Sequence, residues 1–247
     1  MIHIEKRKIK EIPLLEVYDQ SIKNEKAPTI FFFHGITSMK EMNLSYAYLM
    51  AEKGFRVVLP DSLYHGERGK RLQPHELAAT FWKIVLTNIT DVNTLRKVYI
   101  EEGKIEEARI GVAGTSMGAI TTLGCLTQYS WIKAAVSLMG TPSYEQFALE
   151  KLNALKGQVT LSEQEISAAL EQLKPFDLSK KPELLNGRPL YCWHGALDEE
   201  VPVHHIQKFA DTIQEGSNVK LVVDPNGSHK VSKEGMYATA NWFAEHL

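Results

Sequence analysis

A serine lies between two glycines in the motif G-T-S-M-G, residues 114–118. The apolar run RIGVAG before it predicts a strand, and MGAITTLGCLTQ after it predicts a helix. A nucleophile on a tight strand-to-helix turn projects its hydroxyl outward, and glycine is needed where a side chain would strike neighbouring backbone. The motif therefore predicts that Ser116 is a nucleophile, with the backbone N–H of Met117 beside it at the start of the helix.

A serine hydroxyl is a poor nucleophile unless a base removes its proton, and that base needs a carboxylate that orients it. In sites built on such a turn, the carboxylate and the histidine follow the serine along the chain, each after a later strand. Asp198 follows the apolar run PLYCWH, and His229 lies in the loop after VKLVVD. Glu199 and Glu200 are competing carboxylates, and an ordinary loop histidine is the alternative for His229. We predict a triad of Ser116, Asp198 and His229.

An oxyanion formed during attack by the serine needs a second backbone donor besides the N–H of Met117. The apolar run TIFFF predicts a strand, and the loop after it begins His34-Gly35-Ile36. This loop is the usual source of the second donor, so we predict that the N–H of Ile36 completes the oxyanion hole. His34 is interpreted as a residue that shapes the turn. The alternative for the loop is a plain connection from a strand to a helix.

The remaining histidines do not form a recognisable metal motif. His204 and His205 are adjacent and are expected to point to different faces of a helix, which makes them a poor metal pair. His65 lies in a loop after a strand, where it either shapes a turn or touches substrate, and His194 is expected to pack or hydrogen bond locally. We found no H-E-x-x-H, paired C-x-x-C or phosphate-binding loop. The sequence predicts neither a bound metal nor an organic cofactor.

The elements that must position these residues alternate along the chain. Short, continuously apolar runs such as RVVLP and AAVSL are separated by longer helical patterns, which indicates a parallel sheet covered on both faces. The first 19 residues instead alternate apolar and polar side chains, which predicts an antiparallel pair at a sheet edge. Helices are predicted over residues 41–53, from Pro74 to Glu102, and after Ser162, which forms a capping box with Glu165.

One segment, residues 141–187, is too long for a simple crossover between two strands. It contains at least two helical patterns and a polar loop, and we predict a small helical lid over the end of the sheet. Phe147, Leu149 and Leu152 are candidates for lining an acyl pocket there. Packing within the lid is the alternative for these three side chains.

Composition narrows the possible classes of protein. The chain has 247 residues, 44% of them hydrophobic, and a formal net charge of −2, which fits a single globular domain over residues 1–247. No basic stretch suggests nucleic acid, and no segment suggests a signal peptide or a membrane span, so a cytoplasmic protein is expected. Cys125 and Cys192 lie in apolar runs and are expected to be buried free thiols.

With these motifs in order, the chain resembles the α/β-hydrolase superfamily over essentially its whole length. The motifs that carry the resemblance are HGITS, PDSLYHGERG, GTSMG, HGALDEEVP and GSHKVS. More narrowly, the chain is similar to small bacterial serine esterases of the prolyl oligopeptidase-like and dienelactone hydrolase-like branches. The resemblance implies a mostly parallel eight-stranded sheet with helices on both faces and no cofactor. Two departures are a serine where dienelactone hydrolases have cysteine, and Ser228 where many relatives have glycine.

The triad and the resemblance together predict hydrolysis of carboxylic esters through an acyl-enzyme, with small or short-chain acyl groups as the expected substrates. A peptidase or acylaminoacyl hydrolase of the same branch is the alternative, since the same triad serves amides. A thioesterase and a non-catalytic ligand-binding protein with this fold are further alternatives. No feature of the sequence predicts an oligomeric state.

Overall fold

The fold is built on one sheet of eight strands. The computed structural model describes residues 1–154, 162–213 and 217–247. The strands found there are Ile2–Ile9 (β1), Ile12–Asp19 (β2), Ala27–Phe33 (β3), Arg56–Pro60 (β4), Ile105–Thr115 (β5), Ala134–Leu138 (β6), Leu190–Gly195 (β7) and Val219–Asp224 (β8).

The eight strands lie in the order β1-β2-β4-β3-β5-β6-β7-β8. Strands β1 and β2 pair antiparallel, as does β2 with β4, and every later pair is parallel. The predicted mostly parallel sheet is confirmed, and so is the antiparallel pair at its edge. Strand β1 alternates between exposed and more buried residues, whereas β3, β4, β6 and β7 are buried throughout, because helices cover both of their faces.

Helices lie on both faces of the sheet. They are Leu44–Ala51 (α1), Pro74–Ala79 (α2), Phe81–Glu101 (α3), Met117–Gln128 (α4), Tyr144–Ala154 (α5), Glu163–Leu173 (α6), His204–Thr212 (α7) and Lys233–His246 (α8). One apolar core joins α3, α4 and α7 to the sheet, and a second core joins α1 and α8 to the opposite face. This sandwich fixes the ends of β5, β7 and β8, from which the candidate triad projects.

Two predicted helices differ from those observed. The single helix expected from Pro74 to Glu102 is broken into α2 and α3 at Thr80, whose ψ of 4° leaves the helical region. The hydroxyl of Thr80 donates to the carbonyl of Glu76 at 2.9 Å, and such back-bonding favours a bend. The helix expected over residues 41–53 begins as a 3-10 turn at Lys40–Asn43 and becomes α-helical only from Leu44 to Ala51.

Between β6 and β7 the chain forms α5, α6 and three 3-10 turns, at Lys174–Phe176, Leu178–Lys180 and Pro182–Leu185. The predicted capping box is present: the Ser162 hydroxyl accepts from the N–H of Glu165 at 3.2 Å, and the Glu165 carboxylate accepts from the N–H of Ser162 at 2.8 Å. The three turns contact α4, the helix that begins at the motif serine. Residues 155–161 of the predicted lid lie outside the described residues.

Two further observations concern the whole fold. None of the helices in the described part of the chain has the length and apolar character that crossing a membrane requires. Cys125 and Cys192 are buried free thiols, as expected.

Candidate active site

Ser116 lies in the turn between β5 and α4, with a backbone conformation that serine rarely adopts. Its φ is +52° and its ψ is −115°. Its N–H donates to the carbonyl of Leu138 on β6 at 2.8 Å, and its own carbonyl accepts from the N–H of Ile120 at 2.9 Å, at the start of α4. These two bonds hold the strained turn in place, so the hydroxyl is presented at the carboxyl end of the sheet.

The glycines on either side of the turn are required by close backbone contact. A Cβ on Gly118 would lie 2.0 Å from the carbonyl oxygen of Phe33 on β3, and one on Gly114 would lie 2.4 Å from the carbonyl carbon of Gly118. Real Cβ atoms do not approach other atoms this closely. The glycine spacing of the motif therefore reflects how tightly the turn packs against β3.

His229 lies in the loop between β8 and α8, close to the loop after β7. A Cβ on Gly195 would lie 2.4 Å from the carbonyl oxygen of Gly227, so only glycine lets the two loops meet here. The Nε2 atom of His229 is 2.8 Å from the Oγ atom of Ser116. Its Nδ1 atom is 2.7 Å from Oδ2 of Asp198. An ionised carboxylate only accepts, so Nδ1 carries the proton and Nε2 is free to accept from the serine hydroxyl.

The Asp198 carboxylate is buried and fully engaged by hydrogen bonds. Its Oδ1 atom accepts from the N–H groups of Glu200 at 3.0 Å and Val201 at 2.9 Å. Burial by itself raises the pKa of this carboxyl, but hydrogen bonds from His194, His229 and the N–H of Val201 outweigh it and hold the pKa well below its usual range. Asp198 is therefore ionised at neutral pH. The competing carboxylates at 199 and 200 are exposed.

His194 makes a contact that the sequence did not reveal. Its Nε2 atom is 2.7 Å from the carbonyl oxygen of Val201 and 3.3 Å from Oδ2 of Asp198. Because the carbonyl can only accept, Nε2 carries a proton and also faces the carboxylate. The His194 ring thus helps to hold Oδ2 of Asp198, the oxygen atom that His229 also contacts. The spacing of four residues between His194 and Asp198 in the motif HGALD was the signal available in the sequence.

The loop predicted to supply an oxyanion donor lies beside the serine. An added Cβ on Gly35 would be 3.5 Å from Cβ of Ser116, so Gly35 lies against the serine. Ile36 is the next residue in this loop. His34 donates from Nδ1 to the carbonyl of Gly35 at 2.7 Å and accepts at Nε2 from the N–H of Ser62 at 3.0 Å. Burial lowers the pKa of His34 to about 4, so this ring is neutral.

Two further features bear on the predicted oxyanion hole. His65 binds the carbonyl of Ile36 through Nε2 and lies 2.9 Å from the carbonyl of Leu63 through Nδ1. Together with His34, it anchors the loop that begins at Gly35. On the other side of the serine, Met117 is the first residue of α4, where an N–H group has no acceptor within the helix.

The residues suggested as pocket lining occupy different environments. Phe147 on α5 is 3% exposed and packs edge-to-face against Phe81 and Trp82 on α3. It belongs to the apolar core rather than to an open pocket. Leu149 and Leu152 on the same helix are half-buried.

The expectation for the adjacent pair His204 and His205 was wrong. Both rings turn toward one carboxylate, that of Glu150 on α5, instead of diverging. His204 is the first residue of α7, and α5 packs close enough for a single side chain to reach both rings.

The order of the sheet and a serine–histidine–aspartate chain at its carboxyl end define an α/β-hydrolase. Residues 41–247 match the prolyl oligopeptidase family, and the chain belongs to that family. This confirms the resemblance that the motifs indicated.

Two curated relatives and one solved structure match this chain over the full length of both partners. The Bacillus subtilis (strain 168) protein named "Putative esterase YitV" is 43% identical over 255 residues, covering 100% of both chains. "Esterase YjfP" of Escherichia coli (strain K12) is 30% identical over 250 residues, again covering 100% of both. The crystal structure of TT1662 from Thermus thermophilus has a TM-score of 0.75 at 17% identity over 100% of both chains, which is a likeness of fold.

Proposed function

We propose that this protein is a serine hydrolase that cleaves carboxylic esters with small or short-chain acyl groups, through an acyl-enzyme on Ser116. The observation that carries the proposal is the continuous chain of hydrogen bonds from Ser116 Oγ to His229 Nε2, 2.8 Å, and from His229 Nδ1 to Asp198 Oδ2, 2.7 Å. A nucleophile within reach of a base, with the base oriented by a third group, is the arrangement that activates a serine.

The first half of the reaction forms the acyl-enzyme. His229 Nε2 takes the proton of the Ser116 hydroxyl as Oγ attacks the ester carbonyl carbon. The carbonyl oxygen becomes an oxyanion, which the N–H groups of Met117 and Ile36 stabilise together with the amino end of α4. When the intermediate collapses, the bond to the alkoxide breaks, and His229 returns its proton to that leaving group.

The second half releases the acid. Water takes the place of the alcohol, and His229 Nε2 removes a proton from it as its oxygen attacks the acyl carbon. Ser116 then leaves and regains its proton from the imidazolium. Asp198 stays ionised throughout and stabilises the imidazolium that forms in each half. Its hydrogen bonds from the N–H groups of Glu200 and Val201 support this role, because they hold the carboxylate in its charged form.

The ester preference is supported by the two full-length relatives named as esterases, at 43% and 30% identity. Hydrolysis of peptides or acylaminoacyl compounds is the second candidate, because the family to which the chain belongs is named after a peptidase, prolyl oligopeptidase. The two candidates share the triad and differ in the leaving group that His229 must protonate. A small-molecule substrate follows from the same proposal, and a cytoplasmic location stays a separate prediction from the sequence.

The segment 141–187 is proposed to act as a lid next to this site. Its α5 is the first helix after β6, and the N–H of Glu145 donates to the carboxylate of Asp177 at 2.9 Å. This bond ties the start of α5 to the chain between the first two 3-10 turns. The half-buried Leu149 and Leu152 remain candidates for contact with an acyl chain, whereas the burial of Phe147 supports a packing role for that side chain.

The experiment that tests the proposal is labelling with a fluorophosphonate, followed by peptide mass mapping. The wild type should carry the adduct on Ser116, and Ser116→Ala should carry none. Hydrolysis of matched esters and amides with the same acyl group then separates esterase from peptidase. A folded wild type that is not labelled, or a Ser116→Ala variant that retains the ester hydrolysis of the wild type, contradicts the proposal.

A further inference from the structure

A second group of chemically capable side chains lies between α5 and α7, outside the proposed triad. The His205 Nε2 atom is 2.8 Å from Oε2 of Glu150, and the His204 Nε2 atom is 3.6 Å from Oε1 of the same carboxylate. The two imidazole rings lie 4.1 Å apart, centroid to centroid, with 36° between their planes. One ligand atom from each of the three residues lies within 4.8 Å of the others.

These three groups have the donor atoms and the spacing that a transition-metal ion requires. Zn²⁺ binds imidazole nitrogen at about 2.0–2.1 Å and carboxylate oxygen at about 2.0–2.2 Å, so neighbouring ligand atoms of a tetrahedral site are roughly 3.4 Å apart. Side-chain movements of about 1 Å would bring all three atoms to this separation. Two histidines and one glutamate with an open position form a ligand set known for zinc, and imidazole also suits Co²⁺ and Ni²⁺.

The surroundings hold two of the three ligands in position. Gln146, one turn earlier on α5, donates from its side chain to Oε1 of Glu150 at 2.8 Å, and such outer-sphere bonds orient a metal-binding carboxylate. His205 is 2% exposed, and the ring of Phe147 meets it edge-to-face at 5.8 Å. His204 and Glu150 are 43% and 33% exposed, which leaves a path for an ion to enter.

Local charge makes the carboxylate indispensable. The amino end of α7 and Lys208, one turn along that helix from His204, both oppose a cation here. Glu150 supplies the negative charge among the three ligands. Removing this charge should therefore abolish tight binding even where the shape of the side chain is kept.

We propose that Glu150, His204 and His205 form a binding site for a divalent transition-metal ion of the Zn²⁺ class, with water as the fourth ligand. The ion joins α5, in the segment between β6 and β7, to α7, which begins six residues after Asp198. It therefore fastens the proposed lid segment to the part of the core that carries the triad carboxylate. The site does not depend on the proposed ester hydrolysis.

The test is a calorimetric titration of the metal-free full chain with Zn²⁺. We expect one ion per chain with a dissociation constant in the low micromolar range or tighter, which corresponds to about 10⁻⁶ M. Glu150→Gln and His204→Ala should each weaken binding more than about 10-fold, and the double variant should show no measurable binding. Glu150 and His204 are both partly exposed, so these variants are expected to fold.

Two control variants separate this site from other histidines. His75→Ala removes an exposed histidine elsewhere on the surface, and His229→Ala removes the histidine of the proposed triad; both should bind Zn²⁺ as the wild type does. Hydrogen exchange supplies an independent readout, because amides of α5 should exchange more slowly when Zn²⁺ is bound to the wild type and not to the double variant.

Three results would overturn the proposal. The first is a dissociation constant weaker than about 10⁻⁴ M for Zn²⁺, Co²⁺ and Ni²⁺ alike. The second is Zn²⁺ binding that persists in the double variant at Glu150 and His204. The third is binding that disappears in His229→Ala, since the ion would then occupy the triad.

Discussion

The exchange of Asp198 for asparagine tests the triad through the tautomer of its histidine. In the wild type, Oδ1 accepts from the N–H groups of Glu200 at 3.0 Å and Val201 at 2.9 Å. An asparagine must keep its oxygen in that position, because an NH₂ group there would face two donors. Its NH₂ group is therefore forced to the position of Oδ2, 2.7 Å from Nδ1 of His229.

The consequence for His229 follows from its partners. With an NH₂ donor facing it, Nδ1 must accept, so the ring proton moves to Nε2 and points at the Ser116 hydroxyl. A protonated Nε2 cannot act as the base. We expect kcat to fall by about 10⁴-fold, or about 5.5 kcal/mol in the activation barrier, which is the loss documented for the same change in a serine protease. KM should change little, because Asp198 does not contact the substrate.

The assay is steady-state hydrolysis of a short-chain p-nitrophenyl ester, with circular dichroism to show that each variant is folded. Glu199→Gln is the matched control: it removes a neighbouring, exposed carboxylate that was a competing candidate in the sequence. The control should keep wild-type kcat. The reasoning is refuted if Asp198→Asn retains kcat within about 10-fold of the wild type, or if Glu199→Gln loses as much activity.

Three other predictions concern residues around the triad. Gly118→Ala should reduce the free energy of unfolding by at least about 3 kcal/mol, because its Cβ would lie 2.0 Å from a β3 carbonyl oxygen. Gly54→Ala, where φ is +87° and nothing lies within 4 Å, should cost only about 1 kcal/mol in urea unfolding, and equal losses would contradict this. The pKa of His34 is about 4 when folded and 6.5 ordinarily, so the unfolded chain binds more protons between these values. Stability is therefore complete above the unfolded pKa and should fall by about 2 kcal/mol from pH 7 to 4.5, a loss that should be missing in His34→Asn. His194→Ala should lower kcat about 10- to 100-fold with KM unchanged, because a hydrogen bond to the triad carboxylate is lost; a kcat within twofold of wild type would exclude a positioning role.

The sheet and the site were predictable where the signal is local. A run of buried apolar residues marks each central strand, because such strands are covered on both faces. The motif around Ser116 specifies its own turn: the glycines at 114 and 118 are present because backbone atoms lie where their side chains would be. The chain order of Asp198 and His229 then placed two later loops at the same edge of the sheet.

Features set by contacts between distant segments could not be predicted in this way. Asp198 was predicted ahead of Glu199 and Glu200, but the burial of the first and the exposure of the other two are set by the fold of the loop. His204 and His205 diverge on an isolated helix. They converge in the folded chain because Glu150, more than fifty positions earlier, lies beside the first turn of α7.

The distances in the candidate site depend on small residues as well as on the side chains of the proposed triad. The serine turn meets β3 through Gly118, the loop after β3 meets the serine through Gly35, and the aspartate loop meets the histidine loop through Gly195. At Gly118 and Gly195 two backbones meet at a separation that a side chain would prevent, whereas a Cβ on Gly35 would make ordinary contact with Ser116. A methyl group at Gly118 or Gly195 would therefore separate the groups that hydrogen bond at 2.7–2.8 Å without removing any of them. Activity should consequently be lost through geometry alone, with every reacting group still present.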